Sequence, residues 1–249
     1  MNTGYSLHVG VNFVNLAYYD GREGRLKVAV NDMRMMADLA SNAGFTSPVC
    51  LANKQATIGA FKAKVMEFAE KAQSGDMVLI TYSGHGAQTE DTNGDEEEED
   101  GLDENLCLYD GYLVDDRINR LFCCFREGVR ILLIADCCHG GSISKVGKRS
   151  IFKPPKLKKE LPVPDASVIL LSGAAANQKA YENRESKLGY FTDALLKTWK
   201  EGAFTGNYTD FQRKLRRNMQ RACGNRQSSI QTLTGSRNIV FEKEKPFNI

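Results

Sequence analysis

Apolar residues follow two rhythms along this chain. Short, nearly unbroken runs occur at Leu7-His8-Val9-Gly10-Val11, Met77 to Tyr82, Val129 to Ala135 and Val168 to Leu171. A strand covered on both faces loses the in-out alternation of a half-solvated one, so these runs predict buried strands of a mostly parallel sheet. Pro48 to Leu51 predicts a shorter strand, Leu106 to Tyr109 a small β element and Ile239-Val240-Phe241 a closing strand. Between them the period changes. Leu26 to Ala43 is helical and stops at Gly44, and Thr57 to Ala72 places Ile58, Phe61, Val65 and Phe68 on one face. Asp115 to Cys124, Tyr190 to Trp199 and Thr209 to Cys223 predict three further helices, the first with acidic residues at its N-terminus. Strands alternating with helices predict an α/β sandwich, and no internal repeat interrupts the order.

Two segments break the pattern. Glu90 to Glu104 reads EDTNGDEEEEDGLDE, and Lys145 to Pro164 is basic with Pro154, Pro155, Pro162 and Pro164. Neither carries enough apolar surface to order itself by burial. The second is expected to be an exposed linker. It divides one domain, residues 1–249, into a larger portion of about 1–144 and a smaller one of about 166–249.

Composition narrows the possibilities. A chain of 249 residues can form one large α/β domain with a full core. A net charge of +2 gives no global field for nucleic acid or membrane, and no apolar run reaches membrane-spanning length. The linker offers Phe152 as its one aromatic, a poor stacking platform for nucleic acid. Seven cysteines, an odd number with two adjacent pairs, argue for reduced thiols in a cytoplasm rather than a disulfide framework. Cys123-Cys124 and Cys137-Cys138 also lack zinc-ligand spacing.

The chemistry gathers at two strand ends. Tyr82 runs into Ser83-Gly84-His85-Gly86, and Ala135 runs into Asp136-Cys137-Cys138-His139-Gly140-Gly141. In open α/β sheets, function collects at the carboxyl edge, so a thiol and an imidazole are expected to meet there. Alternate residues of an extended segment point the same way. Asp136 and Cys138 then share one side, which selects Cys138 as nucleophile and leaves Cys137 to packing. His139 is a rival base by adjacency. Backbone N–H groups of Gly86 and Cys138 are candidates for an oxyanion hole.

These motifs together resemble the caspase-like cysteine peptidases, nearest the metacaspase and bacterial orthocaspase branch with its SGHG and D-x-C-H-S-G pattern. Asn31-Asp32 and Leu171-Ser172-Gly173 also match, and the resemblance runs from about Ser6 to Phe241. It implies a caspase-like three-layer α/β/α fold and a Cys138-His85 dyad. It also implies an acidic S1 pocket from Asp32, Ser83 and Asp136, which selects Arg or Lys at P1. Gln178, Tyr181 and Glu182 correspond to a loop that lines the substrate groove. The linker residues Lys145, Lys148, Arg149 and Lys153 would suit the same acidic pocket, as candidate cleavage sites for the enzyme itself or an upstream protease. Two positions depart from the pattern: Ala29 stands where the family often has cysteine, and Gly140 replaces serine.

No cofactor is expected to be required. Many metacaspases bind Ca²⁺, and Asp115-Asp116 match one ligand pair, but Lys145 occupies the place of a further ligand. The acidic run is not an EF-hand, because Leu102 falls where a bidentate carboxylate belongs. Two rival readings remain. One is a catalytically inactive caspase-like scaffold that binds peptides or partner proteins; the other is a thiol redox or metal protein.

Overall fold

A computed structural model describes residues 2–19, 24–90, 102–137, 162–174 and 178–249. In chain order the elements are β1 (Gly4–Gly10), α1 (Ala29–Asn42), β2 (Thr46–Ala52), α2 (Ile58–Lys71), β3 (Met77–Ser83), β4 (Gly86–Glu90), β5 (Leu102–Leu108), β6 (Gly111–Val114) and α3 (Asp115–Phe122). Then follow β7 (Arg130–Asp136), β8 (Ser167–Ser172), β9 (Glu182–Asn183), β10 (Leu188–Gly189), α4 (Tyr190–Trp199), α5 (Tyr208–Cys223), β11 (Ile230–Gly235) and α6 (Ile239–Lys243).

Six strands form one sheet in the order β11-β8-β7-β3-β1-β2, all parallel except β11, which runs antiparallel to β8. Every residue of β3 and β7 is buried, which is why these central strands read as continuous apolar runs. Their side chains divide by parity between two cores. Val78, Ile80, Ile131 and Leu133 meet Phe61 and Val65 of α2 and Phe122 of α3 on one face. Leu79, Leu132 and Ile134 meet Leu39 of α1, Phe191 and Leu195 of α4, and Phe211 and Leu215 of α5 on the other. The result is the expected α/β/α sandwich with a mostly parallel sheet. A smaller antiparallel sheet, β4-β5-β6, packs Ala87, Leu106 and Leu113 into the first core.

Register does the positioning. β1 pairs with β3 so that Gly10 lies beside Ser83, and β3 pairs with β7 so that Ser83 lies beside Asp136. The carboxyl ends of three neighbouring strands therefore finish level.

Two expectations need correction. Ile239 to Phe241 is the start of helix α6, not a closing strand. Asn238 caps it by accepting the Phe241 N–H at 3.0 Å, and Phe241 is buried while Val240 is 69% exposed, a one-sided helical pattern. The closing strand is β11, whose mixed and largely exposed edge residues carry little apolar signal. Helix α1 begins at Ala29, three residues later than its pattern suggests. The N–H groups of Lys27 and Val28 are bonded outside the helix, to the Glu182 side chain.

Candidate active site

The turn after β3 is held from beneath. Tyr82 is buried, and its hydroxyl lies 2.7 Å from the His85 carbonyl oxygen and 2.9 Å from that of Cys107. The Cys107 N–H also donates to the His85 carbonyl at 3.0 Å. A Cβ at Gly84 would fall 2.3 Å from the Tyr82 hydroxyl, so only glycine lets the phenol reach through the turn. Gly86 then opens β4 opposite Leu106.

These bonds fix the His85 backbone, and Gly24 fixes its ring. His85 is 9% exposed, and its Nε2 lies 2.6 Å from the Gly24 carbonyl oxygen. A carbonyl can only accept, so Nε2 carries a proton, and in the neutral ring Nδ1 then keeps its lone pair. That is the tautomer a general base requires.

Beside the imidazole lies a cleft of about 210 Å³, bounded by Ser83, His85, Tyr181, Glu182 and Gly189 with Asp32 and Asp136 at its floor. Asp32, from the first turn of α1, is 1% exposed; it accepts the Ser83 hydroxyl at 2.7 Å and the Gly189 N–H at 2.9 Å. Asp136, at the end of β7, is 6% exposed and accepts both the N–H and the hydroxyl of Thr192, at 3.1 and 2.8 Å. A Cβ on Gly189 would lie 2.2 Å from one Asp136 oxygen and 3.2 Å from one of Asp32, so glycine allows backbone to pass between the two carboxylates.

Burial pushes both carboxyl groups above the usual carboxylate range, and the negative charge of Asp136 raises Asp32 further. No described Lys or Arg forms an ion pair with either group. The two adjacent carboxyl groups are held by hydroxyl and N–H donors, and Lys179 borders the same cleft without forming an ion pair with either.

The other expected site residues distribute unevenly. Tyr181 and Glu182 border the cleft, whereas Gln178 accepts the Ser228 N–H at 2.8 Å and secures a neighbouring loop. Cys137 is buried in the core formed with α2 and α3. Cys138, His139 and the linker residues Lys145, Lys148, Arg149 and Lys153 lie outside the described residues. Asp115 and Asp116 begin α3, where an Asp115 oxygen accepts the Asp116 N–H at 2.8 Å. Among the described residues no group of three or more His, Cys, Asp or Glu side chains gathers as a metal site.

Four contributors have no role assigned from the sequence: Gly24, Tyr82, Gly189 and Thr192. Tyr82 carried a signal, because a tyrosine ending a buried strand needs a partner for its hydroxyl. Gly189 directly precedes a helical pattern and was legible only as a boundary. Thr192 had no signal, since its contact with Asp136 spans 56 positions.

The caspase domain family profile matches residues 11–239, and the chain belongs to that family. Metacaspase-1A of Aspergillus clavatus is 34% identical over 173 residues, covering 62% of this chain and 38% of that protein. Metacaspase-1A of Neurospora crassa is 31% identical over 177 residues, covering 62% and 36%. The chain thus matches less than half the length of these relatives. A crystal structure of a Geobacter sulfurreducens protein superposes with a TM-score of 0.82 at 30% identity, covering 99% of both chains. Caspase-1 from Spodoptera frugiperda shares the fold, with a TM-score of 0.61 at 13% identity and coverage of 98% and 92%. Among the described residues, no helix is long and apolar enough to cross a membrane.

Proposed function

We propose that this chain is a cysteine endopeptidase that cleaves after Arg or Lys. The observation that carries the specificity is the Asp32–Asp136 pair, buried at the floor of the cleft beside His85 without a cationic partner among the described residues. An Arg or Lys side chain at P1 supplies the missing charge, and Arg can present two N–H groups in parallel. Family membership supports Cys138 as the nucleophile, because the His85 turn and the Asp136 strand end both precede it as the pattern requires.

In this mechanism His85 Nδ1 takes the thiol proton, and the Cys138 thiolate attacks the scissile carbonyl carbon. Backbone N–H groups at Gly86 and Cys138 stabilise the developing oxyanion. His85 then delivers its proton to the leaving amine, which departs with the C-terminal product and leaves a thioester on Cys138. Water attacks the thioester, gives its proton to His85, and the thiol is regenerated as the acid product leaves. No step is assigned to a metal, and Ca²⁺ is expected to matter little because Lys145 stands where a ligand carboxylate would. Cleavage within Lys145 to Lys159, by the enzyme itself or by an upstream protease, would release the segment that follows Cys138.

A panel of fluorogenic peptides differing only at P1, assayed with and without Ca²⁺, tests this reading. Arg and Lys substrates should be cut, Asp refused, and Cys138→Ala should lose several orders of magnitude of activity while Cys137→Ala keeps most of it. Preference for Asp or for large apolar P1 residues would defeat the pocket assignment. If Cys138 fails to react with a peptidyl-arginine alkylating reagent, the inactive scaffold is the better reading.

A further inference from the structure

The imidazole of His85 is oriented by a carbonyl on a segment with few anchors of its own. Gly24 lies just ahead of α1, and that helix begins poorly: its N-cap is Val28, which has no side chain able to cap. Within the larger portion, the Leu26 N–H donates to the Asn12 carbonyl at 2.9 Å, and the Arg25 guanidinium sits 5.6 Å from the centre of the Phe13 ring. A further anchor comes from across the linker. One carboxylate oxygen of Glu182 accepts the N–H of Lys27 at 2.6 Å and lies 3.3 Å from that of Val28. A carboxylate there also faces the positive end of the helix dipole.

Glu182 is the first residue of the β9-β10 hairpin, and Gly189, which donates to Asp32, is the last. Asn31 donates to the Lys187 carbonyl at 3.3 Å in the same hairpin. One small hairpin therefore touches both the segment that orients His85 and the floor of the charged cleft.

We propose that Glu182 is a positioning residue: it holds residues 24–28 so that the Gly24 carbonyl keeps the His85 ring protonated at Nε2 and free at Nδ1. Its kinetic consequence rests on the peptidase reading above; its structural consequence does not.

The test reads the ring directly. The chain has three histidines, His8, His85 and His139, so a His85→Ala spectrum identifies the His85 Nε2 proton by ¹H–¹⁵N NMR. In wild type that proton should exchange slowly with water. Glu182→Gln, which keeps an acceptor oxygen, should retain it, and Glu182→Ala should lose it to exchange. On an arginyl substrate, Glu182→Ala should reduce kcat by about 10-fold or more with KM little changed, as expected when a catalytic group is misplaced rather than removed. If Glu182→Ala does not fold, Glu182→Asp, one carbon too short to reach Lys27, should give the same loss. Retention of the ring signal in the Ala or Asp variant, or turnover within about twofold of wild type, overturns the proposal. If wild type cuts no peptide yet the ring proton responds as stated, the peptidase reading fails and the positioning role stands.

Discussion

The two ends of strands β3 and β7 treat buried charge in opposite ways. At their beginnings, Asp76 accepts the Thr3 N–H at 2.7 Å and the Gln73 N–H at 2.9 Å. Arg130 there donates to the Gly75 carbonyl through two nitrogens, at 3.1 and 2.8 Å, to the Asn248 carbonyl at 3.2 Å, and to the Glu244 carboxylate. A cation and an anion are each matched, and the tail of the chain is fastened to the sheet. At the far ends, seven residues along in β3 and six in β7, Ser83 and Asp136 stand with Asp32 over a cleft. There two carboxyl groups face each other, held by hydroxyl and amide donors but ion-paired with no described cation. The same strands build stability at one edge and an unfilled requirement at the other, which is the sign of a binding site.

Charge removal should break that symmetry most visibly. Asp136→Asn keeps an acceptor for Thr192 but removes the negative charge. Its kcat/KM on an arginyl substrate should fall about 10²- to 10³-fold, the range for removing one partner of a buried charge pair. Its thermal stability at pH 8 should match or exceed wild type, because a repulsive buried charge is gone. Arg130→Met should do the reverse: unfolding free energy should drop by about 3 kcal/mol, since Glu244 and two carbonyls lose a buried donor. Its KM for the same peptide should stay near wild type. Thermal melts at pH 8, denaturant titrations and steady-state kinetics on the two variants give all four values. Equal destabilisation of both would end the contrast.

Much of this was legible in the sequence, and the reasons differ by residue. His85 and Asp136 were visible because each follows a continuous apolar run and sits among small residues, a local signal. Asp32 was visible only through its resemblance to a family position, because a carboxylate in a first helical turn is ordinary. The acceptor that selects the His85 tautomer was invisible, since a backbone carbonyl has no sequence signature and Gly24 is 61 residues away. Strand β11 was missed for a different reason: an edge strand with exposed threonines lacks the apolar contrast that marked the central strands.

A smaller effect follows from Gly189. An added methyl group would lie within 2.2 Å of Asp136, so Gly189→Ala must displace the carboxylate or the hairpin. We expect KM for arginyl peptides to rise about 10-fold, with a stability loss of about 1–3 kcal/mol from overpacking. A crystal structure with an unmoved pair and unchanged KM would mean that the cleft tolerates a closer approach than its geometry allows.

Acidity separates the charged edge from the interior in a final, gentler way. His8 of β1 is fully buried, with Nδ1 2.9 Å from the Thr81 hydroxyl oxygen, and burial lowers its pKa to about 3. Its unfolded value is ~6.5, so folding excludes a proton. The stability it contributes is present above pH ~6.5 and is lost as pH falls toward 3. The Asp32–Asp136 pair has the opposite sign. Its raised folded pKa values mean that folding favours the protonated carboxyls, so its contribution is full below the ordinary carboxylate pKa of ~4 and is lost as pH rises through the raised values. The two limbs should give a stability maximum between them. Replacing His8 with Phe should flatten the acid limb alone, and Asp32→Asn the alkaline limb alone. Benzamidine, an amidinium ligand for the pair, should raise the melting temperature more at pH 8 than at pH 5.5, because it supplies the counter-charge only when the pair is ionised. A benzamidine shift that is larger at pH 5.5, or one that survives Asp32→Asn at full size, would place the cation elsewhere than between these two carboxylates.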